Sequence, residues 1–411
     1  MLRLELLPAA QGDCLWLEYG PRSATRIVII DGGVTSTAVG LRNRIAAARR
    51  ERGVDVLEVE LLVVTHIDND HIQGIVALLE HEDPSLRVKD IWFNGRPQLM
   101  KLPLLPPDWQ RERAAKRKMI PRPPADLMGD TEGVEGLVDQ AKDETGVTGL
   151  PADLLGTQQG DKLSDLLTAR GLPWNQHPLW SGGAVMVQDA GPLPNTTLDG
   201  ELKITVLGPS LDRLYELCML WSGVLGGDED PEKPTAGAMP ADLLGRRDVW
   251  PPVWKEGETQ DMSVTNGSSI MLLAEYGQNT LLLTGDAHAS DIVLALERVR
   301  NPSPHPLQLT AFKLPHHGSD KNLTKALLDI VDCTQYLVST NGAQHRHPDH
   351  QALLRILRYK QQRPLALLFN YLCETTRRWG DSKADVVASN LQDYTARFPA
   401  DAARGMVIEF E

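Results

Sequence analysis

Two histidines and two aspartates fall within six positions of one another: His66, Asp68, Asp70 and His71. Imidazole and carboxylate groups at this density are ligands for divalent metals such as Zn, Mn or Fe. In an extended loop His66 and Asp68 share a face, because side chains two apart point the same way. Asp70 and His71 then open the next helix and can aim back at the same point. Helix capping would use one carboxylate, so these four groups exceed what a cap needs.

Three later stretches have the same character. Leu281-Leu282-Leu283-Thr284-Gly285-Asp286 is an apolar run that delivers one carboxylate after a glycine, placed to bridge two metal ions, although strand–Gly–Asp is also a common turn. His288, two residues on, reads as a surface residue at a helix start. Leu314-Pro315-His316-His317-Gly318-Ser319 and Asn341-Gly342-Ala343-Gln344-His345-Arg346-His347-Pro348 also follow apolar runs. Adjacent histidines point to different sides of a chain, so the doublet offers at most one direct ligand. Residues 316–350 hold five of the eleven histidines. Each loop alone has a structural reading, but four ligand-rich loops at strand ends point to one shared site.

The elements that must position these loops follow from periodicity. Residues 2–7, 15–19 and 26–30 read as strands, the last ending at Asp31-Gly32-Gly33, and 41–52 as a helix. The continuous apolar run 59–65 predicts a buried central strand, followed by a helix over 72–80 and a strand over 88–93. Further strands are predicted at 202–207, 269–276, 280–284, 308–313, 335–338, 365–369 and 406–410. Helices are predicted at 161–169, 212–220, 292–299, 323–331 and 350–359. Strand-rich halves with interleaved helices predict two packed sheets with helices on their outer faces. Residues 96–195 and 216–262, loose and rich in Pro and Gly, read as insertions into that frame. Trp174, Trp180, Trp221, Trp250 and Trp254 are expected to pack the insertions against it.

The run Thr65–Gly74, THIDNDHIQG, resembles the metal-binding signature of metallo-β-lactamase-fold hydrolases, usually HxHxDH. The HxDxDH variant, with Thr284-Gly285-Asp286-Ala287 and the PHHGS run, is similar to the hydrolase domain of the ComEC DNA-uptake proteins. Gln11-Gly12-Asp13, the turn at Asp31-Gly32-Gly33, Asn266 with Ser269, and His347-Pro348 match in the same order. The chain departs from that family in lacking a membrane channel, in an enlarged middle and in a tail after residue 360 without a motif. The resemblance implies an α/β (α+β) four-layer αββα sandwich, one domain over 1–411 with the two insertions and a C-terminal extension at 360–411. It also implies a site for two divalent metal ions, held by His66, Asp68, Asp70, His71, the bridging Asp286, one of His316/His317 (His316 preferred) and His347. His317 then lies behind the ligands or contacts the leaving group, and His347, if not a ligand, serves as a general acid. Asp70, Asn266, Ser269 and His317 are the residues assigned to catalysis. The fold's customary mid-chain histidine has no match, His177 lying in the irregular insertion. Asp68 in place of a histidine hardens the ligand set toward Zn or Mn. Asp13 and Asp31 are expected to brace loops through hydrogen bonds to backbone.

A metal-bridging hydroxide at such a site suits a phosphodiesterase or nuclease, with single-stranded DNA or RNA as the polymer substrate. Two alternatives stand beside it: a hydrolase of a small metabolite or signalling nucleotide, and a non-catalytic, metal-stabilised effector subunit. Charge bears on the choice. The 411 residues carry a formal net charge of −13, which excludes a uniformly basic nucleic-acid binder. Residues 96–122, however, carry eight basic residues against Asp108 and Glu112, a net +6, leaving −19 on the remainder. A solvated helix face accounts for this strip; placed over the site, it would hold a phosphate backbone while Trp109 stacks on a base. Four scattered cysteines predict reduced thiols and a cytoplasmic protein, with neither a signal peptide nor a membrane span.

Overall fold

The computed structural model describes residues 1–104, 152–223, 250–300, 302–360, 364–388 and 391–410. Among these, two sheets stack face to face between outer helices, an αββα sandwich. The first sheet has six strands in the order Met406–Phe410, Leu2–Leu6, Leu15–Tyr19, Arg26–Ile30, Leu61–Val63 and Ile91–Trp92. The second has eight, running Tyr394–Arg397, Leu365–Phe369, Gln335–Val338, Ala311–Lys313, Asn279–Leu283, Met271–Tyr276, Leu202–Gly208 and Asn195–Leu198. Each sheet begins as an antiparallel meander and becomes parallel where helical crossovers intervene. No described helix is long and apolar enough to cross a membrane.

Period-two alternation explains the layering. Val28 and Ile30 face the second sheet, while Ile27 and Ile29 face the helices Ala38–Arg52 and Asn69–Leu79. On the far side, Ile292, Leu296, Leu353 and Leu357 cover the second sheet from the helices Ala289–Arg300 and His350–Tyr359. The tail after residue 360 is woven into both sheets, giving two strands to the second and the edge strand beside Leu2–Leu6 to the first. Its Trp379 is fully buried against Trp250, His350 and Tyr394.

The run 59–65 differs from the single strand its apolar content predicts. It divides into Leu57–Val59, which pairs with Leu86–Val88, and Leu61–Val63, which enters the first sheet. The division falls at Glu60, whose N–H donates to Ile27 O (2.9 Å) while its carboxylate turns to Lys89 and Arg26. A nearly buried carboxylate needs such cations, and reaching them breaks the straight run. The tryptophans of the insertions act as anchors: Trp174 Nε1–H donates to Phe93 O (2.8 Å), Trp221 Nε1–H to Asp161 Oδ1 (3.1 Å), and Trp180 lies edge-on to Trp92.

Glycines decide how closely the first His/Asp motif docks. Gly32 N–H donates to His71 O (2.9 Å) and Gly74 N–H to Gly33 O (2.8 Å). A Cβ on Gly74 would lie 1.9 Å from Gly32 O, so only glycine lets this helix touch the turn after Arg26–Ile30. Replacing Gly74 by Ala forces the helix outward, with an expected loss of about 1–3 kcal/mol of stability. A lower urea midpoint at unchanged slope checks this; an unchanged midpoint refutes the docking argument.

Candidate metal centre

Four loops at the C-terminal ends of parallel strands converge, the place where sheets of this kind offer a crevice. The strand Leu61–Val63 leads to His66, Asp68, Asp70 and His71; Asn279–Leu283 leads to Asp286; Ala311–Lys313 leads to His316 and His317; Gln335–Val338 leads to the loop of His347.

A common plan governs the imidazoles: Nδ1 is engaged by the protein, and Nε2 is turned inward. His71 Nδ1 lies 2.8 Å from Asp31 Oδ2, and its Nε2 lies 3.3 Å from Asp286 Oδ2. His317 Nδ1–H donates to Ser339 O (2.9 Å), leaving Nε2 3.3 Å from Asp286 Oδ2 and 3.4 Å from Asp70 Oδ2. His66 Nδ1 lies 3.0 Å from Thr65 Oγ1 and 3.3 Å from Ser269 Oγ, with Nε2 3.6 Å from Asp68 Oδ2. His316 Nδ1 lies 3.1 Å from Asn322 Oδ1 and 3.4 Å from Asp261 Oδ2, and its Nε2 is 4.0 Å from Asp286 Oδ2. Occupying Nδ1 fixes the tautomer and ring orientation that a metal-binding Nε2 requires.

The adjacent histidines, expected to point to different sides of the chain, both turn toward Asp286. Both residues adopt left-handed backbone, with φ of 46° at His316 and 55° at His317, and the chain curls so that both rings reach Asp286. Left-handed backbone costs a non-glycine residue about 1–2 kcal/mol, the kind of local strain found at functional sites. His347 borders the same space, its ring 5.3 Å from that of His316 and its Nδ1 3.3 Å from Asp349 Oδ1.

Asn266 and Ser269 stand one layer back. Asn266 Nδ2–H donates to Asp261 Oδ2 (2.7 Å), and Ser269 Oγ accepts from Asp286 N–H (3.3 Å) while touching His66. Asp261 and Asn322 are participants that sequence reasoning passed over. Asp261 ends an acidic stretch without a motif, and Asn322 follows the doublet by only a few residues, the one hint it carries. His288 is buried, its Nε2 2.8 Å from Ser263 O, where a surface position was expected. His177 is engaged elsewhere, accepting from Leu179 N–H at Nδ1 and meeting Thr196 Oγ1 at Nε2. Asp31 braces Thr65 through its N–H (2.7 Å) and its hydroxyl (2.7 Å), whereas Asp13 meets side chains, those of Lys313 and His317. Of the basic strip, Arg96 pairs with Asp161 and Lys101 donates to Gly182 O; Trp109 and the basic residues from Arg111 to Arg122 lie outside the described residues.

These residues fit divalent cations. His66 Nε2 and Asp286 Oδ1 are buried without a hydrogen-bond partner, a state that costs about 1–3 kcal/mol per group and that coordination relieves. Ligand atoms of Asp13, His71, Asp286 and His317 lie within 4.8 Å of one another. Without a cation, protons must balance the carboxylates. Burial pushes the His71 and His317 imidazoles down, but Asp286, with Asp31 behind one and Asp13 behind the other, holds both well above the ordinary range. Burial likewise pushes Asp70 up, and His317 and His71 outweigh it, holding that carboxyl well below its usual value.

Residues 8–163 match the family model described as the Metallo-beta-lactamase superfamily, so a domain of that superfamily is present. The matched span includes His66–His71 and ends before Asp286 and the later histidine loops. No curated protein matches the chain.

Because raised imidazoles must give up their protons to bind metal, loading at neutral pH is expected to release about two protons per chain. Affinity therefore falls as pH drops. Zinc titration calorimetry in buffers of different ionisation heat reads the release; identical heats in all buffers would contradict this arrangement.

Proposed function

We propose that the protein is a metal-dependent hydrolase of phosphodiesters, working with two divalent cations, Zn or Mn. The carrying observation is the convergence of the His66, His71, His316 and His317 Nε2 atoms with the Asp68, Asp70 and Asp286 carboxylates, each imidazole oriented from behind. His66, Asp68 and Asp286 are suited to hold one cation, and Asp70, His71, His317 and Asp286 the other. Cations bound there would supply Lewis-acid activation of water and charge to offset that on the phosphoryl oxygens.

The chain's own groups do the rest. Asp286, the bridge that the resemblance implies, meets His71 and His317 directly and is linked to His66 through Ser269. Of the doublet, His317 is assigned to the metal because its Nε2 is nearer Asp286 (3.3 Å against 4.0 Å) and also reaches Asp70. His316, clamped by Asn322 and Asp261, and His347 beside it form the edge where a leaving oxygen would be held and receive a proton. Asn266 and Ser269 keep His316, His66 and Asp286 in register.

The resemblance of the HxDxDH, TGDA and PHHGS runs to ComEC-type hydrolases supports a phosphodiester over an ester or amide. The basic strip 96–122 supports a single-stranded DNA or RNA substrate, and the four scattered cysteines support a cytoplasmic setting. The −19 carried by the remaining residues favours a second reading, a small nucleotide that needs no basic track.

Labelled single strands and a small phosphodiester, each incubated with Mn or Zn, test the proposal directly. Cleavage that weakens steeply with salt points to a polymer backbone and a flat response to a small substrate; no hydrolysis of either with any metal rejects the reading. Asp286→Ala is expected to lower kcat/KM by roughly a thousandfold or more, about 4 kcal/mol of transition-state stabilisation, with the circular dichroism spectrum retained.

A further inference from the structure

Asp13 presents a puzzle of ligand choice. Its carboxylate belongs to the tight group formed with His71, Asp286 and His317, and its N–H donates to Asp70 O (3.2 Å). Gly12 beside it is pressed so closely that a Cβ there would lie 1.7 Å from Asp70 O. By proximity alone Asp13 is a hard oxygen donor available to the metal. Yet it approaches the wrong edge of His317: Asp13 Oδ1 lies 3.4 Å from Nδ1, whereas Asp70, His71 and Asp286 gather at Nε2.

What holds it on that edge is Lys313. This side chain is completely buried at the end of Ala311–Lys313, and its ammonium contacts Asp13 Oδ2. Among the described residues, Asp13 is the acidic group with which it forms an ion pair. A buried ammonium without an anion is strongly disfavoured, as is a buried carboxylate without a cation, so the two side chains form one unit. Burial pushes the Asp13 carboxyl up, but Lys313 and His317 outweigh it and bring it to about 2. The contrast with Asp31 is instructive. Both carboxylates stand behind a metal-facing imidazole; Asp31 is satisfied by Thr65 hydrogen bonds, whereas Asp13 meets Lys313 through Oδ2 and keeps Oδ1 beside His317 Nδ1 without a hydrogen bond.

We propose that Lys313 is a positioning residue of the metal centre: its ammonium pins Asp13 behind His317, so that the carboxylate backs with its charge the imidazole that Ser339 O orients, and stays out of the metal's ligand set. The pair thereby fixes both the ligand number and the charge of the centre. This rests on the metal-binding reading above.

Zinc and cobalt(II), the latter for its visible absorption bands, serve as probes with the full chain. The double variant Asp13→Asn with Lys313→Met removes both charges at nearly constant volume. It is expected to keep the wild-type number of metal ions per chain by elemental analysis. A competing chelator should show binding about 10–100-fold weaker, as for other outer supports of metal ligands. Lys313→Met alone releases Asp13 and should alter the cobalt bands as an oxygen enters the ligand set; the added Asp13→Asn should restore them.

Loss of one ion per chain in the double variant would show Asp13 to be a ligand and overturn the proposal. So would wild-type affinity in the double variant, or unaltered bands in a folded Lys313→Met protein. If Lys313→Met fails to fold, stoichiometry and affinity of the double variant decide. A wild-type chain that takes up neither zinc nor cobalt overturns this assignment and the metal-dependent reading together. Normal wild-type loading beside an unaffected double variant overturns this assignment alone.

Discussion

Charges around Asp286 are held where water cannot screen them, and the surrounding architecture answers to the need to balance them. Asp286 lies against His71 and His317; behind these stand Asp31 and Asp13, and behind those Thr65 and Lys313. Each layer corrects the imbalance left by the one inside it. The outermost partners belong to strands or to the residues directly following them, so the polar centre is anchored in the same apolar sheets that form the core.

This anchoring constrains the backbone. Ligands arrive from the ends of parallel strands, where a chain leaving the sheet can turn sharply. Two consecutive left-handed histidines are tolerated because Ser339 O, Asn322 and Asp261 hold their rings from outside. The close docking of Gly32 and Gly74 plays the equivalent part for His71. Rigidity at the centre thus comes from packing several residues away.

Much of this was legible in the sequence. The strands at 15–19, 26–30 and 335–338 and the amphipathic helix at 350–359 follow from period alone, and the ligand-rich loops declare themselves through the density of His, Asp and Gly. Other features were not legible. Glu60 divides an apolar run because of cations distant in sequence, which no local pattern reports. Both doublet histidines face inward because of left-handed backbone that non-glycine sequence gives no reason to expect. Lys313 looks like the exposed end of a strand, since a lone lysine is almost never read as buried; its partner lies three hundred residues away. The strand Tyr394–Arg397 was also missed, because its alternation of Tyr394 and Ala396 with exposed Thr395 and Arg397 spans only four residues.

The tail's placement has a consequence for how the protein comes into being. Asn370 Nδ2–H donates to Leu7 O and Ser339 Oγ, Ala10 N–H donates to the Tyr371 hydroxyl, and Thr375 Oγ1–H donates to His347 O. The loops that carry Asp13 and His347 are therefore steadied by residues made about three hundred positions after the HxDxDH motif. A ribosome releases the HxDxDH loop long before these braces exist, while domains form from the N-terminal side as synthesis proceeds. The nascent chain passes through an interval with the first donors made and the enclosure open, so the order of synthesis leaves the centre unfinished until Asn370, Tyr371 and Thr375 have emerged.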